Sequence, residues 1–143
     1  MQRRDFLMGT CRMCLLATAG VSVIDLVSCS PSAGKSITKT EVIDNKITVP
    51  IAAFATNPFQ ILSPAKYPYE VAVQKNEDGN YKALLLKCTH AENQVQFSGN
   101  SFSCSLHGSR FDKEGKVLKG PASHPLTTLK TTITSTDIII HLI

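Results

Sequence analysis

Two short boxes constrain this chain more than anything else in it. Cys88-Thr89-His90 is a Cys-x-His, and Cys104-Ser105-Leu106-His107 is a Cys-x-x-His, with thirteen residues between them. Each box follows a strand-like segment, residues 81–87 for the first and 102–104 for the second. Between them, residues 94–97 and 102–104 flank Ser98-Gly99-Asn100-Ser101, a turn composition that makes a hairpin. Whatever fold the chain adopts must carry two turns at neighbouring strand ends. Such turns present two Cys and two His to one place.

The residues around the boxes read as strands too. Residues 38–43 and 47–51 flank Asp44-Asn45-Lys46, a predicted hairpin turn. Residues 69–75 alternate, with Tyr69, Val71 and Val73 on one face and Glu70, Ala72 and Gln74 on the other. The segment 76–80 is a turn, and 81–87 returns. Lys113-Glu114-Gly115 is another turn, and 127–134 pairs with 138–143 around Ser135-Thr136-Asp137. β-Branched residues dominate that last pair. Residues 52–65, with Pro58 and Pro64, read as a loop. The expected fold is all-β, a small antiparallel barrel or sandwich.

Composition agrees with one such domain. At 143 residues the chain is too short for a β/α barrel. With 43% hydrophobic and 18% charged residues it is not a disordered chain. The net charge of +4 contains no Lys/Arg run, aromatics are 6% and Trp is absent, so no nucleic-acid surface is expected.

The N-terminal residues read as an export signal. Arg3-Arg4-Asp5-Phe6-Leu7 resembles a twin-arginine signal, which carries folded proteins across a membrane. A mostly apolar stretch from Met13 to Ile24 follows, well short of the ~20 residues that span a bilayer. Leu26-Val27-Ser28-Cys29 resembles a lipobox, in which the Cys takes a lipid; the alternative is an uncleaved anchor. Residues 1–28 are thus assigned to the signal, 29–36 to a small polar tether and 37–143 to the folded domain. The five cysteines form no even disulfide framework. Cys11 and Cys14 belong to the signal, Cys29 to the lipid, and Cys88 and Cys104 to the boxes.

Zinc sites usually order their ligands as a Cys pair and then a His pair. Here each loop contributes one Cys and one His, which suits two irons, one taking both thiolates and the other both imidazoles. Cys88-Thr89-His90 with Cys104-Ser105-Leu106-His107-Gly108-Ser109 resembles the paired boxes of Rieske iron–sulfur proteins. The downstream run Phe111-Asp112, Gly115 and Gly120-Pro121-Ala122 also matches that family.

The resemblance implies three antiparallel sheets with a cluster-binding subdomain at one tip and one [2Fe–2S] cluster per subunit. It implies that Cys88 and Cys104 ligate the inner iron and His90 and His107 the outer one. Gly108 would leave space beside the cluster, and the Ser109 hydroxyl would donate to a cluster sulfur. Respiratory members add a Cys to each box, joined as a disulfide. Asn93 and Leu106 stand at those positions, and Phe111 replaces a second hydrogen-bonding Tyr. Fewer thiolates leave a less negative cluster that accepts an electron more readily, at about −150 to +300 mV. Imidazole N–H groups beside it couple electron uptake to proton uptake, which suits a quinol donor.

The function implied is one-electron transfer by an exported, membrane-associated carrier or redox-complex subunit on the extracytoplasmic side. Its partner is another redox protein, as in a quinol-oxidising membrane complex. The alternatives are the small subunit of an exported oxidoreductase of the arsenite-oxidase kind, a ferredoxin-like donor to a catalytic partner, and a non-redox zinc module. The chain has no room for a substrate site of its own. His124 is expected to be exposed near the site and His141 to be structural. Arg110, Lys113, Lys116 and Lys119 form a basic flank suited to an acidic redox partner.

Overall fold

The structure is a computed structural model and describes residues 37–143. The export signal, the lipobox at Cys29, Cys11, Cys14 and the tether all lie outside the described residues. Among the described residues, no helix is long and apolar enough to cross a membrane.

Among the described residues, twelve strands make three sheets. They are β1 (Ile37–Thr40), β2 (Lys46–Pro50), β3 (Phe59–Pro64), β4 (Val71–Lys75), β5 (Tyr81–Leu85), β6 (Val95–Ser98), β7 (Ser101–Cys104), β8 (Arg110–Asp112), β9 (Val117–Lys119), β10 (Thr128–Leu129), β11 (Thr131–Ile133) and β12 (Asp137–His141). One 3₁₀ turn, Ile51–Phe54, follows β2. The sheet orders are β1-β3-β4-β5-β10, β11-β12-β2 and β6-β7-β8-β9.

The expected all-β class and antiparallel sheets are both present, with one exception. β1 runs parallel to β3. The expected turn at Asp44 and Asn45 does form, with φ of 50° and 57° and reciprocal backbone bonds between Ile43 and Lys46. It does not make a simple hairpin, because β1 joins the five-stranded sheet and β2 pairs with β12. Residues 52–65 are not all loop: β3 fills most of the second half. Pro58 precedes that strand and Pro64 ends it, so neither proline sits at a strand interior. The long run 127–134 divides, β10 pairing with β5 and β11 with β12.

The centre of the five-stranded sheet, β3 to β5, is buried on both faces. Val71, Val73, Ala83 and Leu85 pack with Ile47, Val49, Ile138 and Ile140 of the three-stranded sheet. Ile61, Ala72, Leu84 and Leu86 belong to a second core with Phe102, Phe111, Val95, Cys88 and Cys104. Ala72 therefore faces apolar neighbours rather than water. A two-sided strand reads as a continuous apolar run, and only Glu70 and Gln74 made this one look alternating.

The four-stranded sheet lines up Phe97, Phe102, Phe111 and Val117 in register toward that second core. Phe59 stacks on Phe97 at 4.5 Å between ring centroids. Its outer row, Gln96, Ser103, Arg110 and Lys119, is polar. The segment from residue 86 to residue 127 leaves the five-stranded sheet at β5 and returns at β10. These strands pair Leu84 with Thr128, and the Leu85 N–H donates to the Thr127 carbonyl at 2.9 Å.

Gly115 closes the β8–β9 turn with φ +83° and ties the two layers together. A Cβ there would lie 3.1 Å from Leu84 Cδ2 and 3.3 Å from Leu126 Cβ. Gly115→Ala combines left-handed strain with crowding and is expected to cost about 2 kcal/mol or more. A lower denaturation midpoint at unchanged slope would register this.

Candidate metal centre

The two boxes fold into loops with one closing pattern. In the first, the Cys88 N–H donates to the Asn93 carbonyl at 2.8 Å, and the Glu92 N–H donates to the Cys88 carbonyl at 2.9 Å. In the second, the Cys104 N–H donates to the Ser109 carbonyl at 2.9 Å, and the Gly108 N–H donates to the Cys104 carbonyl at 3.0 Å. The fifth residue of each loop has positive φ, 53° at Glu92 and 77° at Gly108. The loops thus match residue for residue, Cys88 with Cys104, Glu92 with Gly108 and Asn93 with Ser109. Only the His differs, third in one loop and fourth in the other.

Gly108 has φ +77°, a state that favours glycine, and within the chain nothing lies within 4 Å of where its Cβ would stand.

The sequence-predicted residues meet in two pairs, thiol with thiol and imidazole with imidazole. Cys88 and Cys104 are free thiols, each 1% exposed, at the inner end of the site. His90 and His107 are exposed at the outer end, with ring centroids 5.1 Å apart and planes at 77°. Burial pushes the Cys104 thiol up, but hydrogen bonds from the Leu106 N–H, Cys88, the His107 N–H and the Asn93 amide outweigh it. The net effect holds Cys104 below the ordinary thiol value.

Among the described residues, no three His, Cys, Asp or Glu side chains converge on a point that would hold one metal ion. The donors are two buried thiols and two exposed imidazoles. They fit a two-iron cluster with a different donor pair on each iron.

A third segment braces both loops. The Ala122 N–H donates to the fully buried Ser109 Oγ at 3.0 Å, and Ser109, an acceptor there, keeps its own hydroxyl proton to donate. The Thr89 hydroxyl donates to the His124 carbonyl at 2.7 Å. His124 thus contributes backbone, with its ring exposed. His141 lies on β12 beside Thr132, Nε2 to Oγ1 3.1 Å, away from the boxes in the sequence of strands. Leu106 is exposed, and Phe111 is fully buried in the second core. Arg110 and Lys119 face each other across β8 and β9, and among the described residues neither has a carboxylate partner.

Sequence reading missed two bracing contacts. Thr89 carries no chemical signal for its tie to His124. Asn93 was legible only as a position without a thiol; its place five residues after Cys88, like Ser109 after Cys104, was the available signal.

A family model of the Rieske [2Fe-2S] domain matches residues 36–130. With that match on this fold, the chain belongs to the Rieske iron–sulfur family. The cytochrome b6-f complex iron-sulfur subunit of Synechococcus elongatus is 38% identical over 71 residues, covering 48% of this chain and 39% of that protein. The corresponding subunit 2 of Synechocystis is 35% identical over 72 residues, covering 49% and 40%. The chain spans about two fifths of the length of these relatives.

Among solved structures, the plasma membrane Rieske protein PetC3 of Synechocystis PCC 6803 is 30% identical. It covers 64% of this chain and 93% of its own, with a TM-score of 0.50. The quaternary ammonium Rieske monooxygenase CntA shares the fold, with a TM-score of 0.53 at 13% identity over 69% of this chain and 32% of its own. The chain carries a Rieske domain and with it a [2Fe–2S] cluster, and the zinc-module alternative is set aside.

Proposed function

We propose that Cys88 and Cys104 bind the inner iron as thiolates and His90 and His107 bind the outer iron as neutral imidazoles. The observation that carries this reading is the pairing of two buried thiols with two exposed, adjacent imidazoles. When bound, the cluster takes up and releases one electron. The chain's own residues do the rest. The second core and the 120–126 segment cover the thiol side, and the exposed imidazole edges are the route to a partner.

The protein is exported and relays single electrons on the outer side of a membrane, within a quinol-oxidising assembly. The relatives support that setting, since those matched over just under half of this chain are subunits of cytochrome b6-f complexes. Arg110 and Lys119, three and twelve residues past His107 and without a carboxylate partner among the described residues, favour an acidic redox partner.

The direct test is the purified protein's visible spectrum and reduced-state EPR signal, with iron and sulfide counted per chain. A colourless, EPR-silent protein would remove the reading. Anchoring is checked separately. Cys29→Ala is expected to move the protein from the membrane to the soluble fraction; retention as an integral protein would point to an uncleaved anchor instead.

A further inference from the structure

Asn93 touches both cysteine-bearing loops. Its main-chain carbonyl accepts from the Cys88 N–H at 2.8 Å, and its side-chain Nδ2 lies 3.8 Å from Cys104 Sγ, within the reach of an N–H···S bond. The same Nδ2 donates to the Gln94 carbonyl at 3.2 Å. Both neighbours are acceptors, so the amide is oriented with its nitrogen toward them and uses one proton on each. The residue is half-buried, where a hydrogen bond to a charged sulfur counts for more than it would in water. Asn93 holds the place in its loop that Ser109 holds in the other.

We propose that Asn93 is a positioning residue that donates a hydrogen bond to the Cys104 thiolate, raising the cluster's midpoint potential and tying the first loop to the second loop's ligand. This rests on Cys104 being an iron ligand. The physical reason is a difference between two charge states. One electron more makes the sulfurs more negative, an N–H donor stabilises that state more than the oxidised one, and reduction becomes easier. The bond also spans the two loops, so it resists their separation.

The test compares the holo-proteins of Asn93→Ala, Asn93→Leu and Asn93→Asp with the wild type by EPR-monitored redox titration. Leu keeps the γ-branched outline and removes the donor; Asp keeps the shape, removes the donor and adds a negative charge. The expected result is that Ala and Leu both shift the equilibrium with a one-electron mediator toward oxidised protein by about tenfold. For a one-electron couple that is a fall of about 59 mV. Asp should shift it further. Wild-type midpoints in both Ala and Leu variants would overturn the proposal, because a purely structural residue would move melting temperature and not potential.

A second measurement does not depend on the variants keeping their cluster. Wild-type protein labelled with side-chain ¹⁵N-asparagine should show a ¹⁵N coupling in the pulsed EPR of its reduced state, and absence of that coupling would equally overturn the proposal. A wild-type protein lacking the cluster signal altogether would instead refute the ligand assignment.

Discussion

Cys104→Ser is expected to yield a colourless protein with no reduced-state EPR signal and with iron and sulfide near zero per chain. The change exchanges one atom, so the fold loses little volume. The thiol it removes is 1% exposed, lies among donors from the Leu106 and His107 N–H groups, Cys88 and Asn93, and is held below the ordinary thiol value. Those donors favour the thiolate, the form that binds iron. A serine hydroxyl would stay protonated in the same pocket and is a harder, poorer ligand for a sulfide-bridged iron. Cys88→Ser should behave in the same way. His124→Ala should leave colour and signal intact, because the hydrogen bond that ties His124 to the first loop is made by its backbone carbonyl. Retention of a full cluster signal in the Cys104→Ser protein would refute the ligand assignment.

Phe102→Ala is expected to bring the largest loss of stability, about 3–5 kcal/mol, and to lower the melting temperature by roughly 15 °C. Phe102 is fully buried, two residues before Cys104. Its ring centroid lies 5.5 Å from that of Phe97 and 6.4 Å from that of Phe59, and Phe111 is its register partner. Truncation empties the centre of the row that supports the second loop. Phe97→Ala, at a half-buried position in the same row, should cost less. Calorimetry on the two holo-proteins would rank them, and equal losses would show that the second core does not centre on Phe102.

The site was readable from sequence because its chemistry is carried by residue types. Cys and His at fixed offsets behind strand-like runs have few other uses. Its supporting geometry was not readable. The matched closure of the two loops depends on Glu92 adopting positive φ, a state that residue rarely takes. Nothing in its identity marks it, whereas Gly108 announces the equivalent turn.

The fold divides along similar lines. Hairpins bounded by strong turn residues, such as the one around Ser98-Gly99-Asn100-Ser101, were visible as local pattern. The parallel pairing of β1 with β3 and the division of 127–134 between two sheets were not, since both are decided by distant partners. β3 was hidden by prolines that mark its boundaries rather than its interior.

The segment that leaves at β5 and returns at β10 begins and ends one hydrogen bond apart. In engineering terms it is a cartridge. A part whose ends already lie on neighbouring strands adds little loop-closure entropy when inserted elsewhere. Any host sheet with two adjacent antiparallel strands offers the socket. The remaining requirement is an apolar floor equivalent to Ile61, Ala72 and Leu84, on which the second core rests. Both cysteine-histidine loops therefore lie within about forty contiguous residues and one patch of sheet, while the three-stranded sheet and its core lie outside that segment.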